Sequence, residues 1–283
     1  MYEICPECGH KHIVATLERG TVLYECGGCD WYSAGADPFH VGAWSVRIHQ
    51  ALAPVDILQS ILTAPEGAAF LRPRLRGVSY LSRPIFPLES DLVGNEYVRG
   101  EMDIAQQVYL RQMIVLSASY VELILRDFFE CLFRAHPLRM NQVLPPKDSN
   151  KAVVSLSEIV KADSKEALLA GLASQAAGYK ASGEIDRILR ELTADCRIQL
   201  DRPFLEDLRE LKELRNRIVH DDTDEQVTFA KVHSSFGLVL YIIYVLSQVA
   251  DTYKIPCWDD VGFTEDFRIK LAATTDQCEE EAV

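Results

Sequence analysis

Positive charge is what this sequence has least of. Its 29 Lys and Arg stand against 42 Asp and Glu, a formal net charge of −13 over 283 residues. That deficit speaks against broad, charge-driven binding to nucleic acid. There is no Walker loop and no dinucleotide fingerprint, which excludes P-loop nucleotide hydrolysis and Rossmann-type hydride transfer. There is also no clustered carboxylate set of the kind a metal-dependent nuclease requires, and no internal repeat. The longest uninterrupted apolar stretch, centred on Phe236 to Leu246, is shorter than the roughly 18 residues of a membrane span and reads as a buried closing helix. No signal-peptide pattern precedes the first cysteine, so a reducing cytoplasm and no membrane partner are expected.

What is present is a chain 48% hydrophobic, enough for a substantial core. The pattern is mainly α. Val41 to about Thr63 reads as helix interrupted at Pro54, and residues 101 to 135 read as one long helix. Pro145-Pro146 and Asp148-Ser149-Asn150 mark a loop. Ser157-Glu158 and Ser164-Lys165-Glu166 open further helical segments, and Gly183 precedes another over Glu184 to Leu192. The expected organisation is a cysteine-bearing module over 1–45, a linker region with a basic Pro/Gly-rich segment over 46–100, a helical domain over 101–255 and an acidic C-terminal tail over 256–283. That tail holds eight acidic residues against two basic ones and ends in Glu279-Glu280-Glu281.

Two Cys-x-x-Cys knuckles, Cys5-Pro6-Glu7-Cys8 and Cys26-Gly27-Gly28-Cys29, are spaced to close a tetrahedral four-thiolate zinc site. Two short strands are expected between them, Ile13 to Leu17 and Thr21 to Glu25, joined at Arg19-Gly20. The whole resembles a zinc ribbon, with zinc in a structural role because four cysteines leave no open coordination position. A disulfide framework or redox pair is the alternative reading, and His10 and His12 are competing ligands. Over residues 1 to 45 only Lys11 and Arg19 oppose six acidic residues, a balance that favours contact with a protein or a purely structural role. Tyr24, Trp31, Tyr32 and Trp44 are expected to build the module's small core and its seam.

Near the C-terminal third lies Arg215-Asn216-Arg217-Ile218-Val219-His220, at the end of a helix that starts beside Asp201 and Pro203. At about 100° per residue, Phe204, Leu208, Leu211 and Ile218 share one sector, flanked by Leu205, Val219 and Leu214. Arg215 lands inside that sector. Asn216 and His220 stack on its edge, while Arg209, Glu213 and Arg217 face the opposite, charged side. A guanidinium there must meet a core carboxylate, an anionic ligand or a second protein surface.

Arginine, a polar residue, three positions and histidine at the end of an amphipathic helix resembles the motif of the HEPN superfamily, and is similar to that of RiboL-PSP-type HEPN domains. The segment Ile114 to Phe129, with Glu122 in an apolar setting, resembles the early HEPN helix. The resemblance covers about residues 100 to 255. It implies a HEPN-like helical bundle and a homodimer in which two motif helices face each other. The composite site would be a metal-independent endoribonuclease acting on RNA through its 2′-hydroxyl. Arg215, Asn216 and His220 would be catalytic, Glu122 supporting, and the setting a toxin or antiviral defence system controlled by a protein partner or regulator. HEPN proteins paired with a nucleotidyltransferase antitoxin place a tyrosine two positions after the histidine; Asp222 stands there, so that modification is not expected. The pair Asp221-Asp222 would repel RNA.

One local basic concentration exists, Arg72, Arg74, Arg76 and Arg83, within a segment rich in proline and glycine that is expected to be irregular. It is either a tentative substrate-binding arm or a linker whose arginines pair with acidic helices. His40, His49, His136 and His233 stand alone and are expected to be structural or on the surface. The alternative to the ribonuclease is a noncatalytic HEPN-like interaction or nucleotide-binding module that docks a partner through its ribbon.

Overall fold

The computed structural model describes residues 13–18, 21–28, 32–34, 38–63, 79–80, 83–84, 95–144, 159, 164–220, 225–269 and 271. The expected loop at Pro145 to Asn150 and the helix start at Ser157 lie outside these residues. What is described is mainly α, with few and short strands.

The N-terminal strands are β1 (Ile13–Glu18), β2 (Thr21–Cys26) and β3 (Tyr32–Ala34), in one antiparallel sheet of order β1-β2-β3. The first two match the strands expected between the knuckles, and their register pairs Ile13 with Cys26 and Glu18 with Thr21. Then comes β4 (Phe39–His40), which pairs in parallel with β7 (Cys257–Trp258) near the other end of the chain.

Six helices among the described residues form the bundle. α1 (Val41–Thr63) is continuous, with Pro54 inside it. Proline removes one ladder hydrogen bond and crowds the carbonyl of the previous turn. Here Pro54 and Gln50, one turn before it, are both exposed while Val55 is fully buried, so the proline falls on the solvent side and the helix continues through it. α1 also buries Trp44 and Ile48 in the common core. The boundary expected at residue 45 therefore falls within a core helix, and residues 46–63 belong to the bundle. α2 (Asn95–Ala135) is the long helix, without a break. After a 3₁₀ turn (Pro137–Gln142) and the packed hairpin of α3 (Lys165–Ala181) and α4 (Ile185–Cys196) come α5 (Arg202–His220) and α6 (Phe229–Tyr253). Ser164 caps α3 by accepting from Ala167 N at 3.0 Å.

Contacts fix the helix directions. Gln107 meets Val227, Tyr120 meets Phe236 and His136 meets Tyr253, so α2 and α6 run parallel. Phe204 packs edge-on against Tyr241 at 4.7 Å and Lys231 pairs with Glu210 at 2.7 Å, so α5 runs antiparallel to α6. α1 is antiparallel to both long helices, through Trp44 against Tyr120 and His233 against Asp56. Phe128, Phe129, Phe236, Ile114, Ile124 and Leu125 are among the largest fully buried side chains. The buried hydroxyls return to the helices that carry them, Ser117 donating to Ile114 O and Ser247 to Tyr244 O.

α2 and α6 also contain windows long and apolar enough to cross a membrane by length and composition. They are the two central helices of the bundle and pack on each other. The segment expected as an acidic tail begins as part of the core: Ile255 and Phe263 are buried, Asp259 caps residues 263–269 by accepting from Phe263 N and Thr264 N, and Asp260 approaches Gly42 so closely that a Cβ there would collide with its carboxylate. In the basic segment, β5 (Ser79–Tyr80) and β6 (Arg83–Pro84) pair antiparallel, so these four residues are paired backbone, while the rest of the segment lies outside the described residues.

Candidate functional site

The first four turns of α5 are anchored. Leu205 N bonds to Asp201 O at the helix start, and Phe204, Leu205, Leu208, Leu211 and Leu214 are all buried. The stripe then opens: Arg215 and Ile218 are half-buried, and Val219 is 46% exposed. Periodicity predicts core for all three. Ile218 still packs on the edge of the core, but among the described residues nothing covers the stripe fully beyond Leu214. Asn216 and His220 are exposed, one turn apart on the same side.

Arg215 donates from Nη1 to Oδ1 of Asn216 at 3.0 Å. No carboxylate among the described residues forms an ion pair with it, whereas Arg202, Arg209 and Arg217 on the same helix each have one. The core-carboxylate explanation of Arg215 is therefore not realised among the described residues. A guanidinium, a carboxamide and an imidazole thus share one accessible helix end, a set able to hold an anion and move a proton.

The chain after the helix is fastened by groups that sequence reasoning did not single out. Arg217 grips the Glu225 carboxylate with two hydrogen bonds, Nε to Oε2 at 2.8 Å and Nη2 to Oε1 at 3.1 Å. Arg111 on α2 donates from Nε and Nη2 to the carbonyl of the same Glu225, at 3.2 and 3.1 Å. One turn earlier, Gln107 donates to Val227 O and accepts from Val227 N, at 3.1 and 2.9 Å. The Arg217 guanidinium holds the Glu225 carboxyl below the usual carboxylate range, and Glu225 in turn raises Arg217. Gln107 and Arg111 are four residues apart on one side of α2, a polar interruption of an apolar helix that carries the same kind of signal as Arg215.

Glu122 is exposed and flanked by exposed Leu123, not sunk in an apolar setting. It stands roughly 16 Å of helix rise beyond Arg111, so one protomer does not bring it to Arg215 and His220. Of the metal candidates, Cys5, Cys8 and Cys29 lie outside the described residues, as do His10 and His12. Cys26 ends β2 opposite Ile13, and the exposed Gly27 and Gly28 form the turn that follows. Among the described residues no group of three His, Cys, Asp or Glu is assembled for a metal. Cys131, Cys196 and Cys257 form no disulfide among the described residues. Arg72, Arg74 and Arg76 lie outside the described residues; Arg83 begins β6 and pairs with Tyr80.

The lone histidines have local partners. His40 stacks on Trp258 at 5.4 Å, His49 Nδ1 lies 2.7 Å from Ser45 O, His136 Nε2 lies 2.7 Å from Tyr253 O, and His233 faces Asp56 at 3.2 Å. A second polar centre lies in the seam between α1 and α2, where Trp44 Nε1 donates to Asp127 Oδ2 at 2.7 Å. Burial pushes the Asp127 carboxyl above its usual range, against the lowering effects of that bond and of nearby His40.

Comparison with protein-family models, with curated proteins and with solved structures finds no match to this chain. The residues and their geometry alone therefore carry the functional reading.

Proposed function

We propose that this chain is a metal-independent endoribonuclease of HEPN type that acts as a homodimer on RNA in the cytoplasm, as a toxin or antiviral defence effector. The observation that carries the reading is Arg215: an arginine within an apolar stripe, without a carboxylate partner among the described residues, beside exposed Asn216 and His220.

In this mechanism the imidazole of one protomer's His220 takes the proton of a ribose 2′-hydroxyl. The 2′-oxygen attacks the adjacent phosphorus, the bond to the 5′-oxygen breaks, and that oxygen leaves with a proton from the second protomer's histidine. The products are a 2′,3′-cyclic phosphate and a 5′-hydroxyl. Arg215 pairs with the non-bridging oxygens and offsets the charge that grows on them. Asn216 Oδ1 keeps the guanidinium in place. Glu122, in its supporting role, acts from the partner's side of the dimer.

The N-terminal module is a structural zinc ribbon in this reading. The β1–β2 hairpin ending at Cys26 and the Gly27-Gly28 turn fit a knuckle, and Cys5, Cys8, Cys26 and Cys29 would hold the ion as thiolates. Its acidic surface suits a protein partner or regulator better than RNA. The net charge of −13 favours a second reading, a noncatalytic module that docks a partner through the ribbon. The deciding experiment is incubation of purified protein with mixed RNA and a chelator that leaves thiolate-bound zinc in place, beside His220→Ala. Cyclic-phosphate ends lost in the variant support the enzyme; equal cleavage by the variant sinks it.

A further inference from the structure

Against the fastened segment after the motif helix, α2 forms a groove of about 490 Å³ with walls of Ile104, Gln106, Gln107, Val108, Arg111 and Gln226. We propose that this groove is a nucleobase subsite that sets which RNA sequence is cut, and that adenine is the base it favours. The proposal rests on the ribonuclease reading for its substrate, and on this groove for everything else.

Its volume falls in the range of about 300–1,000 Å³ typical of small-ligand sites. Two of its polar groups are committed: Gln107 to both backbone groups of Val227, and Arg111 through Nε and Nη2 to Glu225 O. Gln106 and Gln226 have no hydrogen-bond partner among the described residues, although Gln106 is half-buried. Each carboxamide offers a donor beside an acceptor, the pair that matches N6 and N7 on an adenine edge. Ile104 and Val108 are 60% and 49% exposed, and aliphatic side chains left bare at the mouth of a polar groove provide a flat contact for a base. Asp103 on the rim accepts only, which turns away phosphate and suits the amino group of a base. A phosphate would be met instead by Nη1 of Arg111, which has no partner among the described residues.

The groove is placed next to the proposed cleavage site by a single residue. Glu225 takes Arg111 on its carbonyl and Arg217 on its carboxylate. The groove and the last turn of α5 are therefore separated by about the span of one residue and two side chains, on the order of 10 Å, a distance that neighbouring nucleotides bridge.

The test uses full-length protein carrying His220→Ala, so that bound RNA survives, and 2′-O-methyl hexamers of adenosine or uridine labelled for anisotropy. Preference for the adenosine hexamer of at least about tenfold, abolished by Gln106→Ala with Gln226→Ala at unchanged melting temperature, is the expected result. Binding without base preference, or preference that survives both substitutions, overturns the subsite. Cleavage by the wild type separates the two readings. His220-dependent cleavage whose sequence preference ignores both glutamines leaves the ribonuclease standing and removes the subsite. Glutamine-dependent adenosine binding without His220-dependent cleavage removes the ribonuclease reading and leaves only a base-binding groove, and binding of neither hexamer removes the subsite whatever the cleavage shows.

Discussion

Arg217 and Glu225 form a two-point ion pair, at 2.8 and 3.1 Å, that bridges the four residues after the motif histidine. Both side chains are 39% exposed, so solvent screening keeps the pair's direct share of stability small. Its effect is local. The guanidinium holds the end of α5 to the start of the next segment, which Arg111 and Gln107 tie to α2. Glu225→Gln is expected to leave the melting temperature within a degree or two while raising amide exchange at residues 218–220 and 225–228. Unchanged exchange there would show that Arg111 and Gln107 suffice.

The pH dependence of this clasp has a fixed sign. The Glu225 carboxyl is lowered from its ordinary 4.5 by Arg217, so its contribution is fully present above about 4.5 and is lost as pH falls through the lower folded value. Exchange protection of 225–228 should drop in that acid window in the wild type. In Glu225→Gln it should be flat with pH across the same window.

Trp44 and Asp127 give the opposite sign. Burial raises the Asp127 carboxyl above its ordinary 3.8, so the fold binds its proton more tightly than the unfolded chain does. Stability from this group is greatest at low pH and declines as pH rises through the folded value. Asp127→Asn keeps an acceptor for the indole and removes the charge, and is expected to be neutral to stabilising at pH 7. Asp127→Ala leaves Trp44 Nε1, on a side chain only 7% exposed, without its acceptor and should cost about 1–3 kcal/mol. Thermal or urea unfolding of the pair distinguishes them. Equal destabilisation by both would mean that the carboxylate charge itself is needed.

How far these contacts could be read in advance follows sequence separation. The start of α5 at Asp201 and Pro203, the cap at Ser164 and the strands Ile13–Glu18 and Thr21–Cys26 are legible because capping and periodicity act within a few residues. Arg215, Asn216 and His220 share one helix, so their proximity is equally local. Pro54 reads as an interruption because the sequence does not say whether a helical proline falls on the solvent side. The hairpin at Ser79–Pro84 has two-residue strands, too short to show a period. Arg111 and Glu225 are 114 residues apart, and nothing local announces that pairing. Ile218 and Val219 carry the most instructive difference, since an apolar stripe records that a surface is to be covered without saying by what.

Chemistry at the motif is expected to respond steeply to single substitutions. His220→Ala should lower RNA cleavage by about 10²–10⁴-fold, the usual contribution of a positioned acid or base. Arg215→Ala should lower it by about 10²–10³-fold, and Arg215→Lys should recover little because the bidentate contact is lost. Timed digestion of a labelled RNA measures all three. A fully active Arg215→Lys would reduce the arginine to a point charge.

The proposed zinc ribbon predicts one ion per chain, measured by native mass spectrometry or elemental analysis. Cys26→Ser should lose it, because four thiolates make the site and three hold it weakly. Circular dichroism of the helical bundle should change little, since among the described residues the large buried side chains come from the helices and the segments beside them. Full zinc content in Cys26→Ser would point to His10 or His12 as a replacing ligand.

Val219 provides the test of the paired site. It is 46% exposed at the end of a stripe whose earlier members are buried, and Ile218 beside it is half-buried. An apolar patch continuous with the core and bordered by Arg215 and His220 is the kind of surface that a symmetric partner covers. Val219→Asp places a like charge against its own copy across the proposed two-fold axis, at a position that is not one of the buried core residues among those described, so the melting temperature of the monomer should hold. Light scattering should then report a shift from dimer to monomer, and cleavage should fall in step with the dimer fraction. A mixture of wild-type and His220→Ala chains completes the argument, because a mixed dimer lacks one of the two histidines that the mechanism uses, so cleavage should fall with the square of the wild-type fraction and not in proportion to it. A monomeric wild type that cuts RNA at full rate would place all the chemistry within one chain and leave Val219 bare for another reason.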